Sequence, residues 1–178
     1  SEVEELKKRV EDVAEEVKDR VRKLHEKSER SSREVEKEVR KLHEESRRVA
    51  REVTERVRRI DDRDTIRELV ERLKDIFRKS IEDIKRLVEE DKRRVDETIK
   101  EIKRLVDELR ERVTRVIEKI RDEEVVKEIR DTVEKVLEEA RKIIEDNRKR
   151  VAESVETLKD IIRRDEKTMR DVVDELRT

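Results

Sequence analysis

Apolar residues recur along this chain with the period of an α-helix, and the recurrence is regular enough to read as columns. A repeat of 18 residues aligns Val3, Val21, Val39 and Val57, then Leu6, Leu24, Leu42 and Ile60, then Val17, Val35 and Val53. A second set aligns Ile66, Ile84, Ile102 and Ile120, with Leu69, Leu87 and Leu105 beside it. A third aligns Val126, Ile144 and Ile162, with Ala140, Leu158 and Leu176. Eighteen residues complete about five turns at 3.6 residues per turn, so a stripe with this period runs along a helix without drifting. A heptad stripe would drift and impose a left-handed supercoil, so nearly straight helices are expected.

Within each set the columns hold their phase, and between sets they do not. The phase jumps across residues 61–64 and again across 122–124. A continuous helix would have to twist its apolar face abruptly at both places, whereas a chain reversal needs no such twist. Capping chemistry marks the same places. Ser1 with Glu4 and Thr65 with Glu68 have the spacing of capping boxes, and Asp122 precedes Glu123 and Glu124 as a helix start. The pattern therefore predicts helices over about 1–60, 65–121 and 123–178. Short connections make neighbours antiparallel. The expected fold is all-α, a long antiparallel three-helix bundle of nearly straight helices with an 18-residue repeat, forming a single domain over 1–178.

Composition sharpens this picture. Of 178 residues 59% are charged and 1% aromatic, and Gly, Pro, Cys, Trp and Tyr are absent. Without Gly or Pro the usual devices of tight turns and bulges are missing, and the abundant Glu, Lys, Arg and Leu are strong helix formers. Lys and Arg number 52 against 53 Asp and Glu, finely interspersed, for a net charge of −1. No basic stripe for nucleic acid stands out, and no apolar run approaches a membrane span. No targeting signal is evident, so a soluble protein is expected, cytoplasmic if expressed in a host.

The residues that interrupt the stripes carry the most information. Antiparallel folding near residue 122 places opposite each other residues whose numbers sum to about 245. Ser80 then faces Asp165, Asp91 faces Ser154, and Thr98 faces Asn147. The first reversal adds residues from the first helix and gives three polar layers. These are His43, Ser46, Ser80 and Asp165; Ser31, Ser32, Asp91 and Ser154; and His25, Ser28, Thr98 and Asn147. An unpaired buried polar group costs about 1–3 kcal/mol, so layers at fixed heights penalise any slip of register. They are expected to be structural hydrogen-bond networks.

The Gly/Pro-free helices, the 18-residue columns, the idealised Glu/Lys/Arg surfaces and the matched polar layers resemble de novo designed parametric three-helix bundles with buried hydrogen-bond networks. That resemblance implies a very stable scaffold with no natural biochemical function, no enzyme activity and no cofactor. Sharper chemistry is weighed against it. His43, Asp165, Ser46 and Ser80 include the residue types of a Ser-His-Asp triad, but mid-helix amides have no free donors for an oxyanion hole. His25 and His43 lie 18 residues apart, roughly 27 Å along a helix, and cannot share a metal. The alternatives carried are a pH-responsive or self-assembling helical module using the His25 and His43 layers, and a spectrin-like rod. Phe77 and Met169 occupy stripe columns and read as core filler. No partner is required, and a monomer is expected over a homo-oligomer. Small-angle scattering with a mass determination tests this. A monomer-sized rod of roughly 85–90 Å, at 1.5 Å per residue, is expected; a dimer or a much longer particle would mean that the stripes pair between chains.

Overall fold

The computed structural model describes residues 1–177, with side chains through residue 175. Three helices account for nearly all of it: α1 (Glu2–Arg58), α2 (Arg63–Ile117) and α3 (Glu123–Arg177). The fold is an all-α three-helix bundle, and among the described residues there is no strand. The final residue of the expected third helix, Thr178, and the expected packing of Leu176 lie outside the description.

The chain divides into two compact units, and each helix contributes a segment to both. The first unit comprises residues 1–31 and 93–151, the second residues 32–92 and 152–178. The first has one continuous core, in which Ile102, Leu105, Leu109 and Ile129 are essentially inaccessible. The second has two smaller clusters, one around Val39, Ile84, Val88 and Ile161, the other around Ala50, Leu73, Phe77 and Val172. Core positions follow the predicted columns: Val21, Val39 and Val57 are buried, as are Ile84, Ile102 and Ile120. Burial of a Leu, Ile or Val side chain contributes about 1.5–3 kcal/mol, so these columns dominate the favourable side of folding. The solvent faces carry ion pairs at helical spacing, such as Arg104 with Glu101 and Glu108. Exposed pairs of this kind contribute little individually.

The reversals work without glycine, and their geometry explains how. Among the described residues none has a positive φ. Each helix end instead tightens into a 3₁₀ turn: Arg59 N–H donates to the Arg56 carbonyl and Ile60 N–H to that of Val57. Lys119 and Ile120 do the same with Val116 and Ile117. An aspartate two residues later then caps the next helix. Asp122 accepts from the amides of Glu124, at 3.0 Å, and Val125. Asp62 plays this part for α2, accepting from the Asp64 amide at 3.1 Å and from the Thr65 hydroxyl at 2.9 Å.

This corrects two boundaries. The cap of α2 is Asp62 rather than Thr65, because a carboxylate can hold two donors at once and complements the helix dipole. The helix accordingly starts at Arg63, and Thr65 lies inside it. At its other end α2 stops at Ile117 rather than near 121, because the 3₁₀ turn uses the next residues to tuck Ile120 into the core. Ser1 accepts from the Glu4 amide at 3.3 Å, as its spacing predicts. No helix among the described residues is long and apolar enough to cross a membrane. Asp62→Ala is expected to cost about 1 kcal/mol, as typical N-cap losses do, read as a lower urea midpoint with unchanged slope.

Candidate functional site

In the first unit, Asn147 is fully inaccessible and organises a network of its own. Its carbonyl oxygen accepts from the Ser28 hydroxyl at 3.2 Å, and its amide nitrogen donates to the Ile143 carbonyl at 2.8 Å. The same nitrogen lies 3.4 Å from His25 Nδ1. Since an amide nitrogen only donates, His25 Nδ1 is the acceptor, which leaves the proton on Nε2. Nε2 lies 3.1 Å from the Glu29 carboxylate, the partner that this tautomer needs. Arg150 closes the network, donating to the Ser28 hydroxyl at 2.8 Å and to the Asn147 side chain. Of the predicted layer His25, Ser28 and Asn147 therefore meet. Thr98 does not join them: it is half-buried, and its hydroxyl turns back to the Arg94 carbonyl four residues earlier. Arg150 and Glu29 were not among the predicted members. Each lies within one helical turn of a predicted residue, Asn147 or His25, and that spacing was the available signal.

In the second unit, Ser32 donates to Asp91 at 2.9 Å, and both are buried. Ser154 is half-buried and stays outside this pair; Ser31, also half-buried, falls in the first unit. The remaining predicted layer separates the two apolar clusters of the second unit. Ser46 and Ser80 both donate to the Leu42 carbonyl, at 3.0 and 3.4 Å, rather than to His43 or Asp165. For Ser46 this is the bond a mid-helix serine readily makes to the carbonyl one turn back; for Ser80 it is a bond across from α2 to α1.

That leaves His43 and Asp165 facing each other, Nδ1 to Oδ1, at 3.4 Å. Asp165 is 2% exposed, and neither of its oxygens nor either His43 nitrogen has a hydrogen-bond partner. Burial pushes the Asp165 carboxyl up to about 6, opposed by the charge of Arg47. Burial, with Arg47 and Arg164 adding to it, pulls His43 below its ordinary value, while Glu44 opposes. Among the described residues no three His, Cys, Asp or Glu side chains gather to hold a metal ion.

Asp165 also lines a surface groove of about 580 Å³ between α2 and α3 of the second unit. The groove has an apolar floor of Phe77, Ile81 and Met169. Phe77 and Met169 are thus core residues that also face a cavity. Lys74, Arg78, Lys85 and Arg170 surround the floor, with Glu82 and Glu166 among them. Lys74 and Arg78 pair with Glu71 and Asp75 on their own helix; Lys85 and Arg170 enter no ion pair among the described residues.

The dyad has a consequence for stability. A carboxyl with a raised pKa in the folded state leaves stability intact below its unfolded value of 3.8 and reduces it as pH rises through about 6. Asp165→Asn is therefore expected to stabilise the protein at pH 7 by on the order of 2 kcal/mol, and the gain should vanish near pH 4. Urea midpoints at the two pH values measure it; an equal gain at both would mean that ionisation is not the cause.

Comparison with known proteins bears on what such a site serves. No curated protein matches the sequence. A solved structure described as a computationally designed three helix bundle superposes with a TM-score of 0.63 and 17% identity, covering 98% of this chain and 85% of that one. At that identity the likeness concerns the fold. The sequence profile of the nematode fatty acid retinoid binding protein family (Gp-FAR-1) matches residues 2–120, which span α1 and α2. This match overturns the expectation of a de novo designed, hyperstable scaffold with no natural biochemical function. The unpartnered atoms of His43 and Asp165 also sit poorly with a core built for extreme stability. By the extent of that match, the chain belongs to the nematode fatty acid retinoid binding protein family.

Proposed function

We propose that this chain binds a long-chain amphiphile of the fatty-acid class in the groove between α2 and α3 of its second unit. The family is described as binding fatty acid and retinoid, and it is not an enzyme family. The observation that carries the reading is the groove itself, with an apolar floor and a cationic surround. Its volume of about 580 Å³ falls within the roughly 300–1,000 Å³ of small-molecule sites. An acyl chain laid on Phe77, Ile81 and Met169 would lose water at about 25 cal/mol per Å² of apolar area. Its carboxylate would find Lys85 or Arg170, cations toward opposite ends of the groove that enter no ion pair among the described residues. The contribution of such contacts is electrostatic and partly exposed, so it weakens with salt.

Binding in this way needs no second protein chain, since every groove residue belongs to one unit of one molecule. The polar clusters around Asn147 and Asp91 lie outside the groove lining, and we assign them a structural role in holding their helices in register.

Displacement of a fluorescent long-chain fatty acid provides the test. Wild-type protein is expected to bind it saturably, and octadecanoate to displace it. Charge reversal of Lys85 and Arg170 together (K85E with R170E) is expected to weaken binding about tenfold, or roughly 1.4 kcal/mol. The absence of saturable binding, or a double variant that binds as well as wild type, would count against the groove.

A further inference from the structure

The register of α2 against α3 decides how charge is distributed along the groove. Leu73 packs in one core cluster with Val172, and Ile84 in another with Ile161. The spacing between these two pairs is the same on both helices, so α2 and α3 run antiparallel here residue against residue. Arg170 then stands level with Asp75, and Glu166 level with Lys79. Lys85 lies ten residues of α2 beyond the level of Arg170, roughly 15 Å at 1.5 Å per residue.

The groove is thus cationic at both ends and acidic between them. At one end Lys74 and Arg78 accompany Arg170, but each is paired with an acid of its own helix, Glu71 or Asp75. Arg170 is the uncommitted cation of that end and Lys85 that of the other: neither enters an ion pair among the described residues. Both are exposed, as are Glu82 and Glu166, which line the groove at levels between them. Phe77, Ile81 and Met169 form the floor. A carboxylate placed in the middle of the groove meets two acids, whereas one placed at either end meets a cation.

A fatty acid carries a single carboxylate and satisfies one end only. Its apolar terminus then comes to rest beside the other uncommitted cation, where a methyl group gains nothing from the charge. A chain with a carboxylate at each end uses both cations, lays its methylenes on the same floor and keeps both charges away from Glu82 and Glu166. Building on the fatty-acid reading above, we propose that the preferred ligand of the groove is a long-chain α,ω-dicarboxylate, one carboxylate at Arg170 and the other at Lys85. The gain over a monocarboxylate is modest, because an exposed ion pair is screened by water and salt. Its consequence is selection by length, since only a chain that spans the groove makes the second contact.

The experiment compares hexadecanedioate with hexadecanoate as displacers of a fluorescent fatty acid, using the full chain at pH 7.5 and low salt. Wild-type protein is expected to bind the diacid about fivefold more tightly, the size of one exposed ion pair. Lys85→Glu and Arg170→Glu, made singly, are each expected to abolish that preference. Hexadecanoate is expected to keep its affinity within about twofold in either single variant, because its carboxylate can use the remaining cation. That retained binding also shows that the variants fold. Equal affinity of the two acids for wild type, or a preference for the diacid that survives in either variant, overturns the inference while leaving the fatty-acid reading standing. Failure of both acids to displace the probe from wild type removes that reading and this inference with it.

Discussion

The burial of one apolar stripe per helix is the constraint on which everything else here rests. Every backbone amide inside α1, α2 and α3 is already committed to a carbonyl one turn back, so side chains alone hold the helices together. With 59% of residues charged, the apolar positions are few and nearly all of them must face inward. This explains why the columns around Val21, Ile102 and Leu105 are so completely buried. It also explains why any polar residue placed in a stripe has large consequences: few neighbouring apolar contacts remain to offset it.

The two ways in which the protein treats such residues are instructive. Around Asn147 nearly every donor and acceptor finds a partner, and a half-buried arginine completes the set. Around Asp165 the local chemistry defeats the layer. Ser46 and Ser80 donate to the Leu42 carbonyl instead, and the carboxylate is left facing a histidine that is itself desolvated. Two groups whose charged forms are both disfavoured by burial do not stabilise each other unless one donates, and the geometry does not make that bond. The residue that carries this unmet polarity also borders the apolar-floored groove, while its carboxylate oxygens stay buried.

Function was the least legible property, and the reason is physical. A groove between two helices is made of the edges of their stripes, and in a sequence those edges look like the rest of the stripe. Phe77 and Met169 read as core filler because they are largely core: both pack in the cluster with Leu73. Nothing in their spacing distinguishes a side chain covered on all sides from one bordering a cavity. Nor does the absence of Gly and Pro bear on ligand binding. It describes how the helices are terminated, by 3₁₀ turns and aspartate caps, and leaves open what their surfaces do. The inference from composition to a scaffold without function failed at that step.

Periodicity by itself determined the number of helices, their approximate limits, the places where the chain reverses and which residues form the core, because these depend on helical geometry and on the sign of each residue's transfer free energy. It also brought Ser28 to Asn147 and His43 to Asp165, since antiparallel register follows from where the chain turns. The tertiary structure alone decided which polar atoms bond and which are orphaned, that Asp62 rather than Thr65 starts α2, and that Asp165 is one of the residues bordering a groove. Those outcomes turn on distances of an angstrom or less and on competition between nearby acceptors, and a pattern of polar and apolar positions carries no information at that scale.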